Sequence, residues 1–239
     1  TLSWAGIARA TRRQALVQCL LQRRMPKRAD AYGAYQWLAT HMGVDEAFDA
    51  DLDAIHASLA PLGWDVRACH DQERAEPYLL VVNAKSDELA QVATPYSAAE
   101  LQYIKALVHA IFHTPQYALP SIQALQLATH TQPVPLTKQT ATQLLANLER
   151  RQWLHHLPSG AYTLTLRALH ELDTYIRHEM DEACVLECMA CYAIVTRGVR
   201  CASCRGAVHT SCQGAYEAGH ATCTLCGVAW QPVPVGESL

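Results

Sequence analysis

No stretch of this 239-residue chain approaches the ~18–20 consecutive apolar residues of a membrane-spanning helix, which excludes that role. Charge is scarce at 17% of residues against 50% hydrophobic, so most of the chain is expected to pack into ordinary globular cores. Positive charge shows no excess: the formal net charge is −3, which argues against a general nucleic-acid binder. Neither a Ser-His-Asp set nor a Cys-His set is evident, so no covalent nucleophile is proposed. Cysteine is almost missing from the first 183 residues, where Cys19 and Cys69 stand alone and read as small buried hydrophobes. The other eight of the ten cysteines follow residue 183. A secreted disulfide scaffold would spread them, so a reducing nuclear or cytosolic compartment with bound metal is expected instead.

What is present is concentrated near the C-terminus. Cys188, Cys191, Cys201, Cys204, His209, Cys212, Cys223 and Cys226 follow the spacing C-x2-C-x9-C-x2-C-x4-H-x2-C-x10-C-x2-C. Each close pair can chelate half of a tetrahedral site, because a two-residue gap lets both donors face one ion without straining the backbone. Four pairs match two Zn²⁺ ions. Between Cys184 and Trp230 large apolar side chains are few, so hydrophobic burial alone leaves so small a module marginal. Structural Zn²⁺ supplies about 10–16 kcal/mol per site, enough to decide its folding. Both sites would be filled by four protein donors, with no open position for water, so zinc-hydrolase chemistry is excluded. Seven ligand thiolates and two Zn²⁺ would lower the net charge by about three further units.

The spacing leaves two arrangements open. In tandem, pairs one and two share one ion and pairs three and four the other. In a cross-brace, Cys188, Cys191, His209 and Cys212 form site 1, and Cys201, Cys204, Cys223 and Cys226 form site 2. The succession of pairs, with His209 opening the third, resembles cross-braced RING and PHD fingers. Cys184 reads as a spare thiol.

Upstream, Leu16, Val17, Leu20 and Leu21 mark a helical face, followed by Tyr35, Leu38 and Met42, then by Phe48, Leu52, Ile55 and Leu59. The period changes to two at Trp64, Val66 and Ala68, and Tyr78–Val82 reads as a second strand. Three helices and a hairpin suggest a winged helix over 1–83. Residues 84–96 read as a linker. Ser97 and Glu100 form a capping box that opens a helix bearing Leu101, Ile104, Leu107, Val108, Ile111 and Phe112. A short helix over about 119–128 and a helix capped by Thr137 follow. A hairpin then turns at Pro158–Gly160, and one helix is expected over about 165–179. This is the same plan again, giving a second winged helix with a connecting helix over 97–180. The expected fold class is therefore mainly α with small β-hairpins: tandem winged-helix domains, then a cross-braced two-zinc RING-like domain of C4HC3 order over 184–230. Residues 231–239, with two prolines and a glycine, are expected to form a flexible tail.

Residues 1–28 carry seven basic side chains and no acid: Arg9, Arg12, Arg13, Arg23, Arg24, Lys27 and Arg28. They are the candidates for phosphate contact, with an ordinary charged helix flank as the alternative. A mitochondrial presequence is discounted because Leu16, Val17, Leu20 and Leu21 continue into a folded helix. The chain opens at Thr1 rather than Met, and a trimmed N-terminus is expected.

Three windows carry a family resemblance: Arg151–Leu154 through Gly160–Leu164 to Leu172–Arg177; His209–Tyr216; and Cys223–Cys226 with Trp230. They are similar to non-SMC element one, the RING-type subunit of the SMC five-six complex. The resemblance implies nuclear, chromatin-associated work in DNA repair, recombination and chromosome maintenance. It implies a MAGE-type partner (non-SMC element three), a kleisin (non-SMC element four), DNA reached through the complex, and E3 ubiquitin ligase activity with an E2 enzyme. A RING acts by orienting an E2-ubiquitin conjugate for attack. The candidate E2 contacts are Met189 and Ala190 in the first zinc loop and Thr224 and Leu225 in the second. The usual PHD tryptophan is replaced by Ala221, which argues against a chromatin reader. Ala190, Thr224 and Gly227 depart from residues common in active RINGs, which keeps a non-catalytic structural adaptor as the alternative.

Overall fold

Leu16 and Leu20, one helical turn apart, disappear into the same core as Tyr35, Leu52 and Ile55. The structure, a computed structural model, describes residues 4–83, 96–132 and 134–236, so the expected linker lies outside the described residues except for Tyr96. The chain divides into two units, one within Thr1–Asp71 and Glu76–Ser86, the other within Gln72–Ala75 and Asp87–Leu239. No described helix is long and apolar enough to cross a membrane.

The first unit comprises α1 (Trp4–Arg23), α2 (Arg28–Met42), α3 (Phe48–Leu59) and an antiparallel hairpin of β1 (Trp64–His70) and β2 (Pro77–Asn83). Gly43, at φ +62°, ends α2, and the next N–H, of Val44, reaches back to the Ala39 carbonyl. This left-handed cap is one that glycine adopts without steric penalty. The hairpin corrects one expectation. Trp64 and Ala68 are exposed and Cys69 is the buried position of β1, while Leu79–Val82 of β2 are all buried. Burial pushes the Cys69 thiol up to about 12, so it stays protonated; Cys19 is only half-buried.

Beneath this helical surface lies an ion-pair network. Arg12 is wholly buried and donates to Asp51 Oδ2 from Nε at 3.1 Å and Nη2 at 2.6 Å. Arg13 Nε meets Asp51 Oδ1 at 2.7 Å, and the Tyr35 hydroxyl donates to Oδ2 at 2.9 Å. Burial by itself would raise the Asp51 pKa, but the bonds from Arg13, Tyr35 and Arg12 outweigh it and hold the carboxyl below its ordinary value. Arg12 is therefore paired with the interior carboxylate, while Arg13, sharing the same carboxylate, keeps a side chain that is 41% exposed. Lys27 pairs with Glu76 at 2.8 Å and Arg28 with Asp49. Of the basic cluster, Arg9 and Arg23 remain exposed; Arg24 is half-buried.

The second unit begins with α4 (Ala98–Phe112), where the capping box forms as read: the Ser97 N–H donates to Glu100 at 2.7 Å and the Glu100 N–H to the Ser97 hydroxyl at 3.3 Å. Next come β3 (Leu119–Pro120), α5 (Ser121–His130) and α6 (Lys138–Arg150), which is capped by Thr137. The strands β4 (Leu154–His156) and β5 (Ala161–Leu164) complete a three-stranded sheet in the order β3-β5-β4. The single helix expected over 165–179 is two, α7 (Leu166–Glu171) and α8 (Asp173–Glu179). Leu172, at φ −102° and ψ 10°, leaves the helical region between them while its side chain is buried.

The cysteine-rich region holds β6 (Leu186–Glu187), β7 (Ile194–Val195), β8 (Gly198–Cys201), β9 (Ala207–His209), α9 (Thr210–Gly219) and β10 (Pro232–Val235). The last strand corrects the expected flexible tail over 232–235; the expectation for 237–239 lies outside the described residues. This strand pairs with β8 from Pro232 opposite Cys201 to Val235 opposite Gly198. Pro232 and Pro234 are tolerated because β10 lies at the edge of the sheet β10-β8-β9, where a missing N–H leaves no ladder partner unsatisfied. One hydrophobic cluster runs from Tyr103 through Leu145 and Ile176 to Val195, Val208, Tyr216 and Val235, so the cysteine-rich region shares its core with the helices before it.

Candidate metal centre

The hairpin β8–β9 decides how the chelating pairs combine. Gly198 lies opposite His209, and the turn closes with the Cys201 N–H on the Gly206 carbonyl at 2.7 Å. Cys201 and Cys204 thus sit at one end of the ladder and His209 at the other, three strand residues or about 10 Å away. A parallel bridge between Cys188 and Ala207, with the Met189 N–H on the Ala207 carbonyl at 2.8 Å, brings the first pair to β9. Cys212 approaches from the first turn of α9. The donors consequently gather in two interleaved groups: Cys188, Cys191, His209 and Cys212, and Cys201, Cys204, Cys223 and Cys226. In each group all donor atoms lie within 4.8 Å of one another, and each group could hold a metal ion.

The separations have the size of tetrahedral edges. Cys201 and Cys226 sulfurs are 3.8 Å apart and Cys204 and Cys223 sulfurs 3.6 Å, where bonds of about 2.3 Å to one tetrahedral ion give about 3.8 Å. The Nδ1 of His209 is 3.3 Å from the Cys191 sulfur and 3.9 Å from that of Cys212. Its Nε2 donates to the Ile194 carbonyl at 3.1 Å, which fixes the tautomer and leaves the Nδ1 lone pair facing the thiols. In the second group the Ser203 N–H donates to the Cys201 sulfur at 3.4 Å and the Gly206 N–H to the Cys204 sulfur at 3.3 Å, bonds that favour thiolates. Packed thiols also perturb each other: the hydrogen bond from Cys191 lowers the Cys188 pKa, while the proton Cys191 shares with Cys188 is held more tightly. Each group could hold a metal ion, whose binding would displace the thiol protons.

Two chelating loops share one backbone device. The N–H of the residue after the second cysteine returns to the carbonyl of the first: Tyr192 to Cys188 and Gly227 to Cys223, both at 2.8 Å. Both residues have positive φ, +72° at Gly227 and +63° at Tyr192. Tyr192 is the costlier of the two. It is 70% exposed and its carbonyl accepts from Arg177 Nη2 at 2.9 Å. The sequence reading passed over Tyr192, although the parallel with Gly227 marks it. It also passed over Gln72, which is buried within the second unit. The Gln72 side-chain amide accepts from the N–H groups of Thr196 and Arg197 and donates to the Ile194 carbonyl, the same carbonyl that orients His209.

Of the candidate E2 contacts, Ala190, Thr224 and Leu225 are exposed, with Leu225 at 63%. Met189 is half-buried, its sulfur under the hydroxyls of Thr224 at 3.3 Å and Tyr216 at 3.8 Å. Met189, Tyr192, Thr224 and Leu225 line an open groove of about 550 Å³ that is flanked by Arg177, Arg205, Glu182 and Glu187.

Gly198 tests the link between ladder and donors. A Cβ there would lie 2.1 Å from the Val208 carbonyl oxygen. Gly198→Ala is therefore expected to push β8 from β9, shift His209 opposite it, and weaken metal binding at the first group about 10- to 100-fold. Competition with a chromophoric chelator measures this, and unchanged affinity would refute the coupling.

Helical units with small antiparallel sheets, followed by two interleaved Cys/His groups, define a helical protein with a cysteine-rich region that could hold two metal ions. The chain belongs to the family of the Nse1 non-SMC component of the SMC5-6 complex, whose profile matches residues 13–172 and so ends before the two Cys/His groups. It is 28% identical over 181 residues to non-structural maintenance of chromosomes element 1 of Schizosaccharomyces pombe, covering 75% of each chain. Homologues of that protein from Xenopus laevis and Homo sapiens are 26% and 24% identical, over 77% and 75% of this chain and 68% and 67% of theirs. Among solved structures, a chain of an Nse1-Nse3-Nse4 complex superposes with a TM-score of 0.80 at 23% identity, over 92% of this chain and 96% of that one.

Proposed function

We propose that this chain is the RING-type E3 ubiquitin ligase subunit of an SMC5-6 complex, acting in the nucleus in DNA repair and chromosome maintenance. The observation that carries the reading is the interleaving of the two Cys/His groups, the geometry of a cross-braced RING. On this reading each group binds one Zn²⁺: Cys188, Cys191, His209 and Cys212 the first, Cys201, Cys204, Cys223 and Cys226 the second. Thiolate and imidazole donors at these separations suit Zn²⁺. The helices and hairpins of 1–83 and 97–180 act as winged-helix domains, and 184–230 as the RING-like domain. The partners are a MAGE-type subunit and a kleisin, as Nse3 and Nse4 accompany Nse1 in the similar complex.

The chain supplies no nucleophile. Its zinc loops would present Ala190, Thr224 and Leu225, together with Tyr192, to an E2 and restrict the ubiquitin thioester to attack-ready geometries, an orientation effect. Met189 serves as support beneath this surface. A non-catalytic adaptor is the second reading, favoured by the half-buried position of Met189 and by Ala190, Thr224 and Gly227 standing where active RINGs carry other residues.

The deciding experiment is lysine discharge from a panel of ubiquitin-charged E2 enzymes by the zinc-loaded chain, with and without the MAGE-type partner. Acceleration that needs the partner and disappears in Cys204→Ser supports the ligase. No acceleration with any E2, from a chain that holds two zincs and binds its partner, establishes the adaptor.

A further inference from the structure

Outside the two groups, His113, Asp181 and Cys184 bring an imidazole nitrogen, a carboxylate oxygen and a thiol sulfur within 4.8 Å of one another. We propose that these three side chains form a third metal site, for a divalent cation of the zinc class, clipping the end of α4 to the start of the cysteine-rich region. The site is independent of the ligase reading.

Two geometric features point to a cation. The first is the histidine tautomer. His113 caps the end of α4 and its Nδ1 lies 2.8 Å from the His109 carbonyl, an acceptor only, so Nδ1 carries a proton. In the neutral ring the Nε2 lone pair then faces Asp181. An outward-facing lone pair held by a backbone carbonyl at the other nitrogen is the usual preparation of a ligating histidine. The second is the distance. Nε2 and Asp181 Oδ2 are 3.4 Å apart. That is longer than the ~2.7–2.9 Å of a charge-assisted hydrogen bond. It matches the edge of about 3.3 Å between nitrogen and oxygen on one tetrahedral zinc.

The opposite side of the site is also anchored. The Cys184 N–H closes a turn on the Asp181 carbonyl at 2.8 Å, and the Tyr117 hydroxyl donates to the Cys184 carbonyl at 3.0 Å. This gives the thiol left over from the eight-donor pattern a role of its own. Thiolate, imidazole and carboxylate together select zinc-like ions over Ca²⁺ or Mg²⁺, which prefer all-oxygen shells. Three protein donors leave the fourth position to water. With fewer ligands and two exposed donors, this ion is held more weakly than the two in the tetrads.

The test is metal counting on the full chain. The chain is loaded with excess zinc, freed of unbound metal, assayed by mass spectrometry for zinc per chain, and titrated with a chromophoric chelator. The expected result is three ions, one surrendered well before the other two, and two ions in both Cys184→Ala and His113→Ala. If Cys184→Ala disturbs folding and falls below two, His113→Ala on the separate helix decides. Two ions in the wild type at saturating zinc, or a third ion that persists in His113→Ala, overturns the proposal. A baseline of two in the variants keeps this failure distinct from failure of the tetrads.

Discussion

Stripping metal with a strong chelator is expected to abolish protection of the backbone amides over β6–β10, while α6 keeps its protection. With zinc in the proposed sites, about 10–16 kcal/mol per site would be comparable to the whole stability of an ordinary domain, about 5–15 kcal/mol. Without a cation the clustered donors of each tetrad must hold protons or repel, and β8–β9 loses what fixes both its ends. The shared core tempers the outcome: Val195, Val208 and Tyr216 pack in the same cluster as Leu145 and Ile176. Collapse of the cysteine-rich region should therefore loosen the helical part of the unit without unfolding α6, whose own buried face is Ala141, Leu144, Leu145 and Leu148. Hydrogen exchange with and without chelator measures this. Persistent protection at Ile194 and Val208 after metal loss would show that the apolar core alone holds the strands.

Asp51→Ala is expected to destabilise the first unit by about 3–5 kcal/mol, because it leaves the buried Arg12 guanidinium without its counter-charge. Arg12 and Asp51 side chains are 1% and 2% exposed, so water cannot take over. Tyr35 would lose its acceptor at the same time. Urea denaturation followed by Trp fluorescence reads the loss, and a shift below 1 kcal/mol would mean that the arginines re-pair. The sign with pH follows from the lowered Asp51 pKa. A depressed folded-state pKa gives stabilisation that is complete above the unfolded value of about 3.9 and fades as pH falls through the folded value. The wild type should thus lose stability in acid more steeply than Asp51→Asn, which has no such carboxyl to protonate.

Which parts of the chain could be read before folding follows from how far apart the cooperating residues lie. The Ser97–Glu100 capping box, the Thr137 cap, the helical faces and the four chelating pairs are each set within a few residues, and sequence by itself determined them. Three short windows, within Arg151–Arg177, at His209–Tyr216 and at Cys223–Cys226 with Trp230, carried the family resemblance. Sequence did not determine which pairs share an ion. That choice belongs to β8–β9, whose ladder separates Cys201 from His209 and joins Cys188 to β9. Arg12 looked like a surface cation because its partner Asp51 is 39 residues away. Pro232 and Pro234 looked like breakers because only the assembled sheet makes β10 an edge strand. Cys184 looked spare because His113 lies 71 positions earlier in the chain and meets it only once α4 and the turn at Asp181 have packed. Local spacing fixes donors and caps; long-range packing decides which groups share a charge, a strand or an ion.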